Sequence, residues 1–425
     1  MKHFERILAE DPVVIIDGGK RTPRADILHE NRSPGLFSGF TTNQLGAMAL
    51  KAVITPLANL LDKFGHVIAG TVGDSHRESW YGARHVGLLA GLPEDVPALT
   101  VQRLCGSGAE AIVQGTMKLL LGDLNGPFVA VVGMQSMQYP HVAHGLRGRH
   151  VKYGPLTSLP PGAALQDMML LSLFDPVAGM AMANTAELLG RQNGITREEC
   201  DRFALQSNER AKAARDTGYF DEETVPVSVP VNGGVSPMDV CRDTHIRDDA
   251  SYDGLAGLRP TFEPGGMITA GNASGVVDGA AAMVLCQQFT ATEHNLQPLA
   301  RIVAWGYGAC DPKIMGWGPV PATKQALGRA GLTGDQIDWV ELNEAFAPQA
   351  LACIKGFTEM GIDPEKVNPY GGAIALGHPL GATGAILTLT AAYGLRRTGK
   401  RYALITMCIG GGQGISLIIE NPLAA

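Results

Sequence analysis

The residue types best suited to chemistry lie in glycine-rich segments, and the first is VQRLCGSGAEAIVQG, residues 101–115. Cys105 stands there between an extended segment and a predicted helix, and the glycines at 106 and 108 leave space around its thiol. Because the start of a helix carries about half a positive charge, this position favours a thiolate over a thiol, whose ordinary pKa is about 8.5. The segment predicts a nucleophilic cysteine, and the alternative is a buried cysteine at a helix start.

The second segment is GGAIALGHPLGATG, residues 371–384, in which His378 stands between a glycine and a proline. A histidine in such a loop is a candidate general base or the partner that activates a thiol. The alternative is a histidine packed in a loop without a chemical role. The segment lacks the Lys-Ser/Thr pair of a phosphate-binding P-loop, which excludes that class of site.

Two further segments offer an acid/base group and hydrogen-bond donors. In TMCIGGGQG, residues 406–414, Cys408 ends a predicted strand and precedes a glycine turn whose N–H groups can bind an oxyanion. This turn lacks the GxGxxG spacing and is followed by a strand, so it is not a dinucleotide-binding fingerprint. In ELNEAFAPQA, Asn343 can donate a hydrogen bond and Glu344 can orient a histidine. The alternative for both is a helix start near a polar surface.

Taken together, two cysteines, a loop histidine and an amide indicate thioester chemistry. One thiolate would take up an acyl group, and the second thiol would move a proton at carbon. Amide and backbone donors would stabilise the enolate and the tetrahedral intermediate, and each such donor contributes roughly 3–4 kcal/mol in comparable sites.

Alternating strands and helices position these segments. PVVIIDGG predicts a buried strand over 13–16, and TTNQLGAMALKAVI predicts an amphipathic helix. After Cys105, apolar residues at 109, 112, 113, 117 and 120 mark one helix face, and Glu110, Gln114 and Lys118 form the opposite, wet stripe. PFVAVVG follows as an apolar run typical of a central parallel strand. This order predicts a layered α/β fold.

The C-terminal part repeats this plan, with a glycine-rich loop, a helix, the strand YALITM and the strand ISLIIE, which suggests a duplicated α/β unit. Between the halves, prolines and charged helices indicate an inserted lobe, and Thr196 with Glu199 fits a helix capping box. We therefore expect an N-terminal half over 1–135, completed by 277–297, an insertion over 136–276, and a C-terminal half over 298–425.

Composition bounds the class of protein. The chain has 425 residues, of which 45% are hydrophobic, and this suits two or three packed domains. A net charge of -7 without a long basic run argues against a nucleic-acid partner. The first residues do not have the composition of a secretory signal, and no apolar run approaches the length of a membrane helix. Seven cysteines without a CxxC pair favour the reducing cytoplasm.

We predict no catalytic or metal-binding role for the remaining cysteines or for the three histidines between residues 141 and 150. We expect small core positions for the other five cysteines, Cys200, Cys241, Cys286, Cys310 and Cys353. His141, His144 and His150 lack a carboxylate or cysteine to complete a metal site, so no metal is predicted. With Arg147, Arg149 and Lys152 we expect them to form a solvated basic loop or a subunit contact.

In this order of segments the chain resembles the thiolase family, the acyl-CoA C-acyltransferases, over nearly its whole length. The resemblance rests on RLCGSGAEA, GMQSM, TAELLGRQNGITREECDRFALQSNERA, GLRPTF, GMITAGNASGVVDGAAAMVL, DPKIMGWGPVPATKQAL, ELNEAFAPQA, GGAIALGHPLGATGA and MCIGGGQG. It implies two βαβαβαββ halves forming a five-layer α-β-α-β-α sandwich with an inserted loop domain that binds coenzyme A.

The resemblance also implies catalytic roles. Cys105 would be the acylated nucleophile, and His378 would activate it and contribute to one oxyanion hole. Asn343 would hold a water in that hole, with Glu344 supporting the loop. Cys408 would exchange a proton with the substrate α-carbon. The backbone N–H groups of Cys105 and Gly410 would form the second oxyanion hole.

Substrate contacts are implied in the same way. Ser274 would touch the pantetheine arm, and Arg247 would contact the CoA nucleotide. The acyl pocket would be lined by Phe262, Met315 and Phe346. In AMANTAEL, Ala181 replaces a residue that often contacts the thioester in relatives, and this leaves the preferred acyl chain length open.

The implied activity is thiolytic cleavage of 3-ketoacyl-CoA or the reverse condensation of two acyl-CoA molecules. Coenzyme A would be a co-substrate, with no permanently bound cofactor. A cytoplasmic homodimer or homotetramer is expected, and a hydratase/dehydrogenase partner subunit stays open. The alternatives are a decarboxylating ketosynthase-type condensing enzyme and a non-catalytic protein that binds CoA esters or lipids.

Overall fold

The structure is a computed structural model that describes residues 10–27, 34–73, 76, 78–138, 141–144, 164–230 and 237–424. At residues 141–144, 164–166 and 168 the backbone alone is described. His141 and His144 lie in one of these backbone segments, whereas His150, Arg147, Arg149 and Lys152 lie outside the described residues.

The strands are β1 Val13–Ile16, β2 Lys20–Arg21, β3 Ala25–Asp26, β4 Phe64–Gly70, β5 Ala98–Val101, β6 Phe128–Gln135, β7 His141–His144, β8 Ala164–Asp167, β9 Phe174–Asp175, β10 Met180–Ala181, β11 Val227–Val229, β12 Met238–Val240, β13 Val277–Gln287, β14 Pro298–Ala309, β15 Trp339–Leu342, β16 Tyr402–Ile409 and β17 Gln413–Glu420.

The α-helices are α1 Thr42–Ile54, α2 Gly82–Ala90, α3 Ser107–Leu121, α4 Met168–Ser172, α5 Met182–Gln192, α6 Arg197–Asp216, α7 Tyr252–Ala256, α8 Gln288–Glu293, α9 Pro319–Ala330, α10 Ala347–Glu359, α11 Ala373–Leu376 and α12 Thr383–Thr398. Short 3-10 helices span Thr55–Lys63, Pro312–Trp317, Gly334–Gln336 and Pro364–Lys366. The predicted strand at 13–16 and the helix of TTNQLGAMALKAVI are present, and the capping box of Thr196 and Glu199 opens α6.

One sheet connects the two halves in the order β15-β16-β17-β14-β1-β13-β6-β4-β5, and β2 and β3 pair with β13. The halves meet where β1 and β14 pair antiparallel. In the N-terminal half, β4 pairs parallel with β5 and β6, and in the C-terminal half β15 pairs parallel with β16. A single parallel bridge from Val340 to Val367 stands where β5 stands in the other half. The predicted duplication is therefore visible in the strand order.

Each half-sheet is covered by helices on both faces. One apolar core joins α3 and α12 with the inner faces of both half-sheets. A second core lies between the other face of the N-terminal half-sheet and α1 and α2, and a third lies between the C-terminal half-sheet and α9 and α10. The layers thus run α-β-α-β-α, as the resemblance implied, with α3 and α12 in the centre.

The central position of α3 corrects one prediction. The apolar face is buried as expected, but Glu110, assigned to a wet stripe, is also buried. Its carboxylate accepts hydrogen bonds from Arg103 Nε at 2.8 Å and from Tyr307 Oη at 3.0 Å. Gln114 and Lys118 of the same stripe stay partly exposed. Periodicity within the helix does not show which part of its polar side the second sheet covers.

The insertion is fastened to the N-terminal half by buried ion pairs. Arg21 Nε lies 2.5 Å from Glu223, and its Nη1 lies 2.7 Å from Asp243. Arg24 contacts the same Asp243 carboxylate at 3.0 Å. Because removing one partner would leave a buried charge uncompensated, these pairs fix where the insertion sits. The domain boundaries given above stay a prediction.

The helical stretch Thr42–Lys63 is long and apolar enough, by length and composition, to cross a membrane, although no such segment was predicted. Its apolar side chains pack in the core of the N-terminal half.

Cys200, Cys286 and Cys353 are buried and Cys310 is partly buried. Cys241 is exposed, because it follows the short hairpin β11–β12 on the insertion, so its core assignment was wrong.

Candidate active site

A single cavity of about 220 Å³ brings together most of the residues singled out from the sequence. Its wall includes the predicted catalytic positions Cys105, His378, Cys408 and Gly410, and the predicted substrate contacts Ser274, Phe262, Met315 and Phe346. The rest of the wall is mostly apolar, which suits an acyl chain. Nucleophile, base and second thiol come from loops and strand ends of both halves.

Cys105 lies two residues before α3 and is partly buried. The preceding Leu104 has a left-handed backbone with φ 44°, a conformation that costs free energy for a residue with a side chain. Burial raises the pKa of the Cys105 thiol to about 11, although the backbone N–H groups of Cys105 and Gly410 interact with it and oppose the rise. The expectation that this position favours a thiolate was therefore wrong, because the cost of burying the charge exceeds the stabilisation by the two backbone N–H groups.

His378 is buried in the loop before α12, and its backbone N–H donates to the carbonyl of Gly275 at 2.9 Å. Burial lowers the pKa of the His378 imidazole to about 4. At neutral pH the imidazole is uncharged and the Cys105 thiol keeps its proton. The uncharged imidazole has a free lone pair that can accept the proton as the sulfur attacks.

The hydroxyl of Thr383 contacts one ring nitrogen of His378 and bears on which of the two nitrogens is basic. Its Oγ1 lies 2.6 Å from His378 Nδ1 and donates to the carbonyl of Pro379 at 3.2 Å. We assign the hydroxyl proton to that carbonyl, so that the oxygen accepts from Nδ1–H. The lone pair is then on Nε2, and Asn343 Nδ2 lies 3.4 Å from that nitrogen.

Asn343 is fully buried directly after β15, and its backbone N–H donates to Thr406 at 3.0 Å. Its Oδ1 has no hydrogen-bond partner within the described residues. A buried amide oxygen without a partner is costly unless a water or ligand donates to it. The position matches the water-holding role that the resemblance implies.

Glu344 supports the loop that carries His378. Its carboxylate accepts from Ser207 Oγ at 2.7 Å, from Asn368 Nδ2 at 2.7 Å and from the backbone N–H of Ile374 at 3.1 Å. Burial raises the pKa of this carboxyl, and the three hydrogen bonds oppose the rise. Gly372 packs directly against the carboxylate, where a Cβ would overlap with it.

Cys408 lies in β16, pairs with Gly414 of β17, and is buried. Burial, together with the neighbouring thiols of Cys105 and Cys353, raises its pKa well above the ordinary value. The turn after β16 has positive φ at Gly411 and Gly412, conformations that favour glycine. This turn directs the Gly410 N–H towards Cys105.

The predicted substrate contacts divide into two groups. Phe262 and Phe346 meet edge to face with ring centres 6.3 Å apart, and Met315 is buried in the same wall. The backbone N–H of Ser274 donates to Ala345 at 3.1 Å. Arg247 is exposed on the insertion and is not among the described residues that line the cavity.

The sequence did not single out several residues that shape the site. Gln135, at the end of β6, accepts hydrogen bonds from the backbone N–H groups of Val72 at 3.0 Å and Gly381 at 3.2 Å, so it ties the histidine loop to the N-terminal half. Met182 and Leu173 of the insertion form part of the cavity wall. The motif GMQSM contained the signal for Gln135, but its partners are remote in sequence.

Among the described residues, no group of three potential ligands is arranged for a metal ion.

Comparison with known proteins agrees with this geometry. The family description "Thiolase, N-terminal domain" matches residues 13–288, and "Thiolase, C-terminal domain" matches residues 296–421. The chain is 42% identical to human mitochondrial 3-ketoacyl-CoA thiolase over 409 residues, covering 96% of this chain and 98% of that protein. It is 44% identical to beta-ketothiolase BktB of Cupriavidus necator over 381 residues, covering 89% and 93%. The crystal structure of the human mitochondrial enzyme in complex with CoA superposes with a TM-score of 0.86 at 40% identity, covering 96% and 98%.

Proposed function

The chain belongs to the thiolase family and is an acyltransferase, and on that premise we propose how its residues divide the reaction. Its substrates are CoA thioesters: 3-ketoacyl-CoA is cleaved with CoA, or two acyl-CoA molecules are condensed. The single observation that carries the proposal is that Cys105, His378 and Cys408 line one apolar cavity. Thioester exchange is reversible, so metabolite levels set its direction.

In the cleavage direction, Cys105 Sγ attacks the 3-keto carbon while its proton passes to Nε2 of His378. The bond between the α- and β-carbons breaks, leaving an acyl group on Cys105 and an enolate of acetyl-CoA. Cys408 gives its proton to the α-carbon of that enolate, and acetyl-CoA leaves. The thiol of a free CoA then attacks the acyl carbon and gives its proton to the Cys408 thiolate. The bond to Cys105 Sγ breaks, and His378 returns its proton to that sulfur, which releases the acyl-CoA and restores both cysteines.

Donors for the developing negative charge surround the same cavity. Once protonated, Nε2 of His378 becomes a donor, and a water held by the free Oδ1 of Asn343 adds a second donor. The N–H groups of Cys105 and Gly410 already interact with the nucleophile, so they also face the acyl oxygen that forms on it. Fixed donors of this kind stabilise an oxyanion without reorganising during the reaction.

The CoA complex of the human enzyme supports coenzyme A as co-substrate. Ser274, at the cavity wall, would contact the pantetheine arm. Arg247, exposed on the insertion, would contact the nucleotide. Phe262, Met315 and Phe346 take the acyl chain. No permanently bound cofactor is needed for this chemistry.

A homo-oligomer, dimer or tetramer, fits the exposed surface beside β5, which ends the order of the described strands. Trp80 is 90% exposed, Tyr81 60% and Leu89 53%, and Leu99 on β5 itself is 39% exposed. An unpaired strand edge with exposed apolar side chains favours association. We also propose that the protein is cytoplasmic. Association with a hydratase/dehydrogenase partner subunit is a further proposal.

Acylation of single cysteine variants tests the function. With acyl-CoA as donor, intact mass should show an acyl adduct on the wild type and none on Cys105→Ala. Cys408→Ala should still become acylated but should neither cleave nor form the carbon–carbon bond. Cys241→Ala, which changes an exposed thiol outside the cavity, is the matched control and should behave as wild type.

Two outcomes would contradict the assignment. Full turnover by Cys105→Ala would exclude it as the nucleophile. Condensation that requires a malonyl thioester would indicate a decarboxylating ketosynthase instead. Thiolysis of 3-ketoacyl-CoA substrates from C4 to C16 would give the chain-length preference that the sequence leaves open.

A further inference from the structure

An imidazole–carboxylate pair lies behind the catalytic loop, outside the cavity. His245 Nδ1 lies 2.6 Å from Asp26 Oδ1, and the two side chains are 15% and 32% exposed. The residues are 219 positions apart in the chain, one on the insertion and one in β3. The proposed reaction uses neither of them.

The imidazole of His245 lies flat against Gly275. A Cβ on Gly275 would overlap with three atoms of that ring, so the glycine and the imidazole occupy complementary space. Gly275 is a cavity residue, and its carbonyl accepts the backbone N–H of His378 at 2.9 Å. Two successive contacts therefore connect the pair to the catalytic base.

Asp26 reaches the same loop from its other side. It pairs in β3 with Val277 of β13. Val277 in turn packs against Gly377, which has φ 86° and whose added Cβ would overlap with the valine side chain. The strand pairing of Asp26 thus supports Gly377, the residue before His378. The imidazole of His245 supports Gly275, whose carbonyl accepts the N–H of His378.

The pair is itself fixed in place by the surrounding structure. The backbone N–H of Asp26 donates to Thr244 Oγ1 at 2.9 Å, and the N–H of Thr244 donates to the carbonyl of Arg24 at 3.0 Å. Two residues before His245, the Asp243 carboxylate is held by the buried guanidinium groups of Arg21 and Arg24. One residue after it, Ile246 is buried against α6 and α11.

We propose that His245 and Asp26 are positioning residues that hold Gly275, and through it His378, in the geometry that accepts the proton of Cys105. Neither touches the substrate, so their loss should lower the rate of Cys105 acylation and leave substrate binding largely intact. This inference rests on the acyl transfer proposed above.

The experiment uses the full chain and measures single-turnover acylation of Cys105 by acyl-CoA, steady-state kcat and KM, and thermal unfolding. His245→Ala should slow acylation by about tenfold to a hundredfold, the range expected when a catalytic group is displaced by a fraction of an ångström to about one ångström. KM should change by less than about twofold. His245→Asn keeps an N–H donor for Asp26 where Nδ1 stands but lacks the three ring atoms that contact Gly275, so it should restore only part of the rate. Arg202→Gln removes an exposed ion pair elsewhere on the insertion and is the matched control.

A second pair of variants tests the contact with Gly275 directly. Gly275→Ala should slow acylation because its methyl group displaces the imidazole or the loop, and adding His245→Ala should recover part of that loss by making space. Wild-type acylation rates in His245→Ala, or a loss confined to KM, would overturn the proposal. A loss in His245→Asn equal to that in His245→Ala would overturn the role assigned to Asp26. Failure of the wild type to acylate Cys105 would instead refute the proposed function.

Discussion

Replacement of Thr383 by valine tests whether the tautomer of His378 is set by one hydroxyl. Valine has nearly the shape of threonine but cannot accept the hydrogen bond from Nδ1, which is 2.6 Å long and buried in the wild type. The imidazole would then either keep an unpaired Nδ1–H or change to the tautomer protonated on Nε2. The second form cannot take a proton from Cys105.

The size of the effect follows from the cost of an unsatisfied buried donor, about 1–3 kcal/mol. That cost corresponds to a decrease of roughly 5-fold to 150-fold in the acylation rate. Thr383→Ser keeps the oxygen and should stay within a fewfold of wild type. The hydroxyl also donates to Pro379 at 3.2 Å, and serine can preserve that bond as well.

The assay is stopped-flow release of CoA from acyl-CoA under single-turnover conditions, with intact mass to confirm the adduct on Cys105. Thermal unfolding of each variant separates a misplaced base from a destabilised fold. Equal acylation by Thr383→Val and wild type would refute the reasoning. A serine variant as slow as the valine variant, with normal stability, would show that the side-chain methyl group and not the hydrogen bond matters.

Two further substitutions test the burial of Glu341 and the position of the acyl chain in the cavity. Burial raises the pKa of Glu341 to about 8. As pH rises, this carboxyl therefore ionises in the unfolded chain before it ionises in the folded protein. The resulting loss of folding stability grows from about pH 4.5 to about pH 8 and amounts to a few kcal/mol. Glu341→Gln should therefore gain Tm relative to wild type between pH 5 and pH 9, and a difference independent of pH would contradict this. Ala181 lines the cavity, so Ala181→Phe should lower kcat/KM for long-chain substrates roughly fourfold for each methylene excluded, at about 0.8 kcal/mol each. Unchanged discrimination between C4 and C10 substrates would place the acyl chain elsewhere.

The parts of the site that could be predicted from the sequence are those with local signals. Cys105, His378 and Cys408 each stand beside glycines that leave the backbone open, so their segments stand out without knowledge of the fold. The strand at 13–16 and the capping box of Thr196 depend on patterns a few residues long. The structure retains these features because tertiary contacts stabilise the same conformation that the local sequence favours.

The remaining features depend on contacts that no local pattern contains. Glu110 occupies the polar side of an amphipathic helix, and its burial follows from a second sheet that the other half of the chain supplies. The raised pKa of Cys105 likewise follows from burial, which the helix-start argument could not include. The position of His245 behind Gly275 joins residues whose partners are remote in sequence.

The close approach of the two central helices has a consequence for the reaction. Gly108 of α3 lies against the backbone of Gly381 and Ala385, and Gly384 of α12 lies against Ala109. Since the nucleophile precedes one helix and the base precedes the other, the missing side chains at these two glycines set the separation between sulfur and imidazole. A methyl group at either position would move the reacting groups apart while leaving every reacting group intact. The distance over which the proton moves is therefore set by direct backbone packing between the two halves.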